Sequence, residues 1–87
     1  MGHFFMEKRV HTVTVTIYDR DVAFRSVGEL LHAYADHILL RVGYPMSDKN
    51  VAIIFLILDM STDELGALTG KLGQIGSVKV KSTTLKI

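Results

Sequence analysis

The sequence has no cysteine and almost no net charge, and both absences exclude classes of function. Without cysteine the chain cannot form disulfides, iron–sulfur clusters, thiolate zinc sites or a thiol nucleophile. Ten basic and nine acidic residues give a net charge of +1, which provides no basic surface of the kind that DNA binding uses. The longest apolar run, Val51 to Leu58, is far shorter than the roughly 20 residues of a membrane span. We therefore expect a cytoplasmic protein that directly contacts neither nucleic acid nor a membrane.

Length and composition predict one folded domain. The chain has 87 residues, of which 48% are apolar and 22% charged, and one hydrophobic core serves roughly 50–200 residues. Residues 1–6 lack the basic start and long apolar stretch of a signal peptide. We expect them to be a disordered N-terminal extension, followed by a single domain over residues 7–87.

The first part of the domain predicts a strand and then an amphipathic helix. Residues from Arg9 to Ile17 alternate between two faces and include many β-branched side chains, which is typical of a strand. Asp19 is expected to cap the helix that follows through its side chain. The apolar stripe of that helix comprises Phe24, Val27, Leu31 and Tyr34.

The remaining chain predicts two strands, a second helix and a last strand. The second strand, His37 to Tyr44, is expected to end at Pro45, which cannot donate to a ladder, and Val51 to Asp59 form the third. Ser61 and Glu64 have the spacing of a capping box. The apolar residues of the last two elements are Leu65, Leu68 and Leu72 in the helix and Val78, Val80 and Leu85 in the strand. The order βαββαβ predicts an α+β, ferredoxin-like fold with a four-stranded antiparallel sheet, two helices on one face, and strands one and three central.

The third strand is apolar on both faces, which predicts self-association. One face carries Ile53, Phe55 and Ile57, and the other carries Ile54, Leu56 and Leu58. Because the helices cover one face only, we place all six residues at the interface of a homo-oligomer, a dimer or a tetramer. The alternative is an unusually apolar strand tolerated in a monomer. Lys79 and Lys81 are expected to protect the fourth strand against pairing with a strand of another chain. The edge of the second strand and the face of the sheet without helices are then left for contacts.

Three glycines form a stripe on the second helix at spacings of four and three: Gly66, Gly70 and Gly73. Such a stripe allows another backbone or a flat ligand to approach closely, at a cost of roughly 0.5–1 kcal/mol for each interior glycine. The alternative interpretation makes Gly73 or Gly76 the end of the helix, with only Gly70 in its interior.

Metal binding and catalysis have little support in the sequence. None of the four histidines has metal-ligand spacing, so we expect no metal and no cofactor. The segment Val22 to Arg25 resembles the V-x-F-R segment of acylphosphatases, but Asp19 and Asp21 precede it and would repel an anion. RNA binding through base stacking on the sheet would need aromatic residues on the central strands, and the third strand offers only Phe55.

Three segments carry a family resemblance: ILLRVGYP from Ile38 to Pro45, NVAIIF from Asn50 to Phe55, and GALTGKLGQI from Gly66 to Ile75. With them, the chain from about Met6 to Ile87 resembles the iron-only hydrogenase system regulators. Those proteins are similar to ACT domains and to the C-terminal domain of the nickel-responsive regulator. The nickel site of that regulator includes a cysteine, which this chain lacks, so the resemblance does not extend to nickel sensing.

The resemblance implies a non-catalytic, homo-oligomeric, ACT-like module that binds a small ligand, in the setting of iron-only hydrogenase maturation. ACT domains commonly bind amino acids near the first strand–helix loop at a subunit interface, and this loop here contains Asp19 and Arg20. Arg41, Gly43 and Tyr44 add a cation, an open backbone and an aromatic group, unless they are simply a solvated arginine and a turn. The alternatives are an acylphosphatase-like or other ferredoxin-like enzyme, and an assembly partner that binds another protein without a small ligand.

Overall fold

Four strands and two α-helices follow one another in the predicted order, with one additional 3-10 turn. A computed structural model describes residues 7–87, so the expectation for residues 1–6 lies outside the described residues. The elements are β1 (Arg9–Ile17), α1 (Arg20–Ala33), a 3-10 turn (Ala35–His37), β2 (Ile38–Met46), β3 (Val51–Met60), α2 (Thr62–Gly73) and β4 (Val78–Thr84). None of the helices in this part of the chain is long and apolar enough to cross a bilayer.

The sheet is antiparallel throughout, with the strand order β2-β3-β1-β4. Strands β1 and β3 are therefore central, and both helices cover the same face, which confirms the predicted fold. The helices bury most of the side chains that their periodicity indicated, except that Phe24 is exposed and Tyr34 is only partly buried. The buried set also includes Ala23. The buried side chains are Ala23, Val27 and Leu31 from α1 and Leu65, Leu68 and Leu72 from α2.

Alternation on the two central strands decides which side chains form the core. Val13 pairs with Leu56 and Val15 pairs with Ile54, and all four side chains are buried under the helices. Leu58 is also fully buried in this core. The prediction that all six apolar residues of β3 lie at an oligomer interface is therefore wrong for Ile54, Leu56 and Leu58, because the helices already cover them. Their neighbours Ile53, Phe55 and Ile57 lie on the other face of the sheet.

His11 is fully buried at the start of β1. Its Nε2 lies 2.8 Å from the Met60 carbonyl oxygen and its Nδ1 lies 2.9 Å from Thr84 Oγ1. Since a carbonyl can only accept, Nε2–H donates to Met60, and a neutral ring then accepts the Thr84 hydroxyl at Nδ1. Both ring nitrogens are satisfied, so His11 joins three strands and has no free nitrogen for a ligand.

Several element ends differ from the sequence predictions. Strand β2 continues through Pro45, which pairs with Ala52, because an edge strand tolerates a residue without an N–H. The Asp19 side chain does not cap α1. The C-cap of α2 is Gln74, and the left-handed backbone conformations of the described chain occur at Asn50 and Ser77 rather than at a glycine.

The capping box of α2 is present. The Ser61 hydroxyl accepts from the Glu64 N–H (3.1 Å), and a Glu64 carboxylate oxygen accepts from the Ser61 N–H (2.9 Å). His37 Nε2 lies 3.4 Å from the other carboxylate oxygen. The Ser61 backbone hydrogen bond, assisted by the Ser61 hydroxyl and by His37, holds the pKa of Glu64 below its ordinary value of 4.5, although partial burial opposes the shift.

This shift predicts how the Glu64→Gln variant depends on pH. Because the folded-state pKa is depressed, the ionised carboxylate stabilises the fold above pH 4.5, and this contribution disappears as the pH falls through the lower folded-state pKa. We expect Glu64→Gln to be less stable than wild type at pH 7 and the difference to shrink below pH 4.5, as measured by urea unfolding. Glu29→Gln, on the exposed side of α1, is the control. A difference that stays constant down to pH 3 would contradict the prediction.

Candidate functional site

A cleft of about 230 Å³ lies where the first turn of α1 meets the end of β2 and the start of β3. Two arginines stand among mainly apolar groups at its walls. The lining residues are Arg20, Phe24, Arg41, Gly43, Tyr44, Pro45, Ala52, Ile53 and Ile54. The sequence predictions named Arg20, Arg41, Gly43 and Tyr44, which the fold brings to this one place from two distant segments.

Asn50 fixes the position of Arg20. The Arg20 backbone N–H donates to the Asn50 carbonyl (3.0 Å), and Asn50 Nδ2 donates to Asp19 Oδ1 (3.0 Å). Asn50 has a left-handed backbone, with φ of 55°, which asparagine tolerates better than most residues. The loop between β1 and α1 is therefore tied to the turn between β2 and β3, and Arg20 stands at the end of the sheet.

Arg41 and Gly43 reach the cleft from the edge strand. Arg41 pairs with Leu56 and Gly43 pairs with Ile54, and paired residues of an antiparallel ladder share a face. Both residues therefore lie on the helix side of β2. A Cβ added at Gly43 would meet no atom within 4 Å, so the absence of a side chain at this position leaves open space beside Arg41.

Tyr44 lines the cleft but its side chain lies on a different face from that of Arg41, and Asp19 is not a lining residue. Tyr44 pairs with Ile53, which places both side chains on the helix-free face of the sheet, although both residues are among those that line the cleft. Asp19 does not line the cleft, because its carboxylate accepts from Asn50. The prediction of a contact group formed by Arg41, Gly43 and Tyr44 side by side is corrected accordingly.

Sequence reasoning missed the apolar walls of the cleft, formed by Phe24, Pro45, Ala52 and Ile54. Phe24 belongs to the apolar stripe of α1 by spacing, yet it is 44% exposed, because it lies at the rim of the helix–sheet contact. A large aromatic residue left exposed beside an arginine is the signal that could have indicated the site, but exposure is a tertiary property.

The cleft carries positive charge without a matching negative charge. Among residues 7–87 the ion pairs are Arg25–Glu29, Lys49–Asp48 and His37–Glu64, and none includes Arg20 or Arg41. Arg20 Nε is buried and has no hydrogen-bond partner in the same part of the chain. A buried donor without an acceptor is costly, and a guanidinium suits a carboxylate or another oxyanion.

The lining contains no serine, threonine or histidine side chain that could act as a nucleophile or base. Arg25 is the arginine of the acylphosphatase-like segment. It is exposed on the solvent side of α1, where its Nε lies 3.5 Å from Glu29 Oε2. Within residues 7–87 no three histidine, aspartate or glutamate side chains cluster as metal ligands would.

The glycine stripe of α2 faces outward. A Cβ added at Gly66, Gly70 or Gly73 would meet no atom within 4 Å, so no other part of residues 7–87 makes a close approach to this helix face. The close-approach hypothesis therefore concerns a second molecule only, and it stays a prediction.

The helix-free side of the sheet, called the open face below, changes from apolar to basic across the strands. The ladder register places Val10 and Asp59 at one end of it and Met46 and Val51 at the other, with three side chains of each strand between them. They are Leu40, Val42 and Tyr44 on β2, Ile53, Phe55 and Ile57 on β3, Thr12, Thr14 and Thr16 on β1, and Lys79, Lys81 and Thr83 on β4. The half of this face formed by β2 and β3 is thus a continuous exposed apolar patch.

Comparison with solved structures identifies the fold and a close relative. The uncharacterized protein TM1266 from Thermotoga maritima is 54% identical, with a TM-score of 0.88, and the match covers 92% of this chain and 100% of that one. The crystal structure of the ACT domain of GTP pyrophosphokinase from Chlorobium tepidum is 15% identical, with a TM-score of 0.72, over 87% of this chain and 99% of that domain. Its solution NMR structure gives 16% identity and a TM-score of 0.68, over 92% and 89% of the two chains. These ACT domains share the fold.

Comparison with sequence families leads to the same relative, TM1266. No curated protein matches the chain. The model of the TM1266-like family, described as iron-only hydrogenase system regulators, matches residues 9–82, which include both cleft arginines, strands β1 to β3 and most of β4. The chain belongs to this family of regulators, with an ACT-like fold.

Proposed function

We propose that this protein is a non-catalytic, cytoplasmic regulatory module that binds a small molecule in the cleft between α1 and β2 and assembles as a homo-oligomer. The family supplies the setting, the iron-only hydrogenase system. The observation that carries the proposal is a pair of arginines at the walls of an apolar cleft, Arg20 and Arg41, which have no ion-pair partners among residues 7–87.

The composition of the cleft supports binding of a small organic ligand. Ligand sites are concave and mostly apolar, with a few polar groups that orient the ligand. Here Phe24, Pro45 and Ile54 supply apolar contact area, while Arg20 and Arg41 supply directional donors. The volume of about 230 Å³ suits a metabolite-sized molecule better than a nucleotide, since drug-sized ligands occupy roughly 300–1,000 Å³.

The positions of the titratable side chains favour regulation over catalysis. A catalytic base must lie within hydrogen-bond reach of the reacting group. His11 is buried with both nitrogens bonded, and His37 lies beside Glu64 at the start of α2, outside the cleft lining. The competing enzyme hypothesis would need a nucleophile or base at the cleft walls.

The open face supports self-association. Val42 and Tyr44 are more than half exposed, and Phe55 is 36% exposed, although each faces the same side of the sheet as its apolar neighbours. Burying large apolar side chains is worth on the order of 1.5–3 kcal/mol each, and contiguous exposed apolar patches mark contact sites. A second copy against the β2–β3 half of this face would remove that surface from water.

Native mass spectrometry of the full chain tests the proposal, with variants that separate the cleft from the rest of the surface. We expect the wild type to retain a small molecule and to form oligomers. Each hydrogen bond to a charged group contributes about 1.5–3 kcal/mol, so Arg20→Ala or Arg41→Ala should weaken retention by about 10- to 100-fold.

Arg25→Ala is the matched control, since Arg25 lies on the same helix as Arg20 but pairs with Glu29 on its outer side. Equal loss of the ligand in Arg25→Ala would contradict the assignment of the cleft. Absence of any retained or added small ligand would overturn the ligand-binding part of the proposal.

One observation favours a second candidate, an assembly partner for another protein of the same system. The edge of β2 carries exposed Leu39 and Leu40 and has no lysine, whereas β4 carries Lys79 and Lys81. The only charged residue of β2 is Arg41, so this edge is less protected than β4 against pairing with another chain. Co-purification of a defined second protein that is lost in Leu39→Lys would favour this candidate.

A further inference from the structure

The charged side chains that line the cleft all have one sign. The lining includes two guanidinium groups, Arg20 and Arg41, and no carboxylate. Arg20 has two acidic neighbours in the chain, Asp19 and Asp21, and neither lines the cleft. Asp19 Oδ1 accepts a hydrogen bond from Asn50 at 3.0 Å. The cleft therefore offers donors to an anion and no ionised acceptor to a cation.

This imbalance discriminates between ligands that share a carboxylate. An α-amino acid would bring an ammonium group into a site with two arginines, where it would lose hydration without an ionic partner and would be repelled by like charge. A carboxylate without an ammonium has neither cost, and it can accept from the unpartnered Arg20 Nε in a charge-assisted hydrogen bond.

The apolar walls and the volume restrict the rest of the ligand. Phe24, Pro45 and Ile54 give contact area to a hydrocarbon body and offer no side-chain hydrogen bond. The volume of about 230 Å³ is below the roughly 300–1,000 Å³ of pockets for drug-sized ligands, which restricts the hydrocarbon body to a short chain. We infer that the cleft selects small apolar carboxylates without an ammonium group, such as 2-oxo acids, over the corresponding amino acids. This inference rests on the proposed ligand-binding function of the same cleft.

Three ligands with one carbon skeleton test the inference by isothermal titration calorimetry on the full chain: 4-methylpentanoate, 4-methyl-2-oxopentanoate and leucine. The first and last differ only in the ammonium group. We expect both carboxylates to bind at least about tenfold more tightly than leucine. Arg20→Ala and Arg41→Ala should each weaken their binding by about tenfold or more, whereas Arg25→Ala should leave it unchanged. Inorganic phosphate is the fourth probe, because an oxyanion without a hydrocarbon body uses the arginines alone.

The outcomes separate this inference from the proposed function. Leucine binding as tightly as the carboxylates, and lost in the arginine variants, would overturn the inference and leave the proposed function intact. Phosphate binding more tightly than either carboxylate would overturn the inference, because the apolar walls would then not contribute to ligand selection. Binding of none of the four probes would overturn the inference, while the proposed function would then depend on whether native mass spectrometry detects another retained molecule.

Discussion

Leu56→Ala is expected to lower the free energy of unfolding by about 2–5 kcal/mol. Leu56 is fully buried on β3, between Val13 of β1 and Arg41 of β2 and beneath the helices. Removing its side chain leaves a cavity in a close-packed layer that only partly relaxes. The loss is a large share of the 5–15 kcal/mol typical of a folded domain. Urea unfolding at a fixed protein concentration measures it, since association would add to the apparent stability.

Leu39→Ala is the matched control for this prediction. The substitution is chemically identical, but Leu39 is 62% exposed on the edge strand, so we expect a change within about 0.5 kcal/mol. Equal effects of the two substitutions would show that Leu56 does not face the core, and the division of β3 into a helix side and an open side would be wrong.

Val42→Lys is expected to weaken self-association by at least about a hundredfold. Val42 pairs with Phe55 near the middle of the apolar half of the open face. In an oligomer built on that face, the variant would bury an ammonium without a partner, at a cost of several kcal/mol, and each 1.4 kcal/mol is a factor of ten in the dissociation constant. Sedimentation of wild type and variant at tens of micromolar distinguishes oligomer from monomer.

Val22→Lys provides the control for the oligomer experiment. Val22 is 67% exposed on α1, on the opposite side of the sheet from the open face, so the same substitution there should leave the oligomer unchanged. A wild-type protein that is monomeric at these concentrations would contradict the proposed assembly.

Cleft and open face lie on opposite sides of the same two strands. Arg41 and Gly43 face the helix side of β2, whereas Val42 and Tyr44 face the open side, because side chains alternate along a strand. A ligand in the cleft and a second copy on the open face would thus use different side chains of one strand. The proposed binding and assembly are compatible in one molecule.

Much of the fold could be predicted from local pattern. Alternation from Arg9 to Ile17 depends only on which residues are apolar, and the capping box of Ser61 and Glu64 needs only their spacing. Both are present in the structure. Predictions that depended on one residue's side chain were less reliable: Asp19 was expected to cap α1 but bonds to Asn50 instead, because a tertiary partner competed with the local one.

Residue pattern alone determined the order of elements, the ferredoxin-like class and the two-sided apolar character of β3, since periodicity and capping act over a few neighbouring residues. Tertiary structure alone decided which face of β3 the helices cover, that Arg20 and Arg41 line one cleft, and that Tyr44 lies on the opposite side of the sheet from Arg41. These outcomes depend on strand pairing and on the Asn50 contacts between two loops. Such contacts join residues far apart in the chain, and their geometry is absent from any short stretch of sequence.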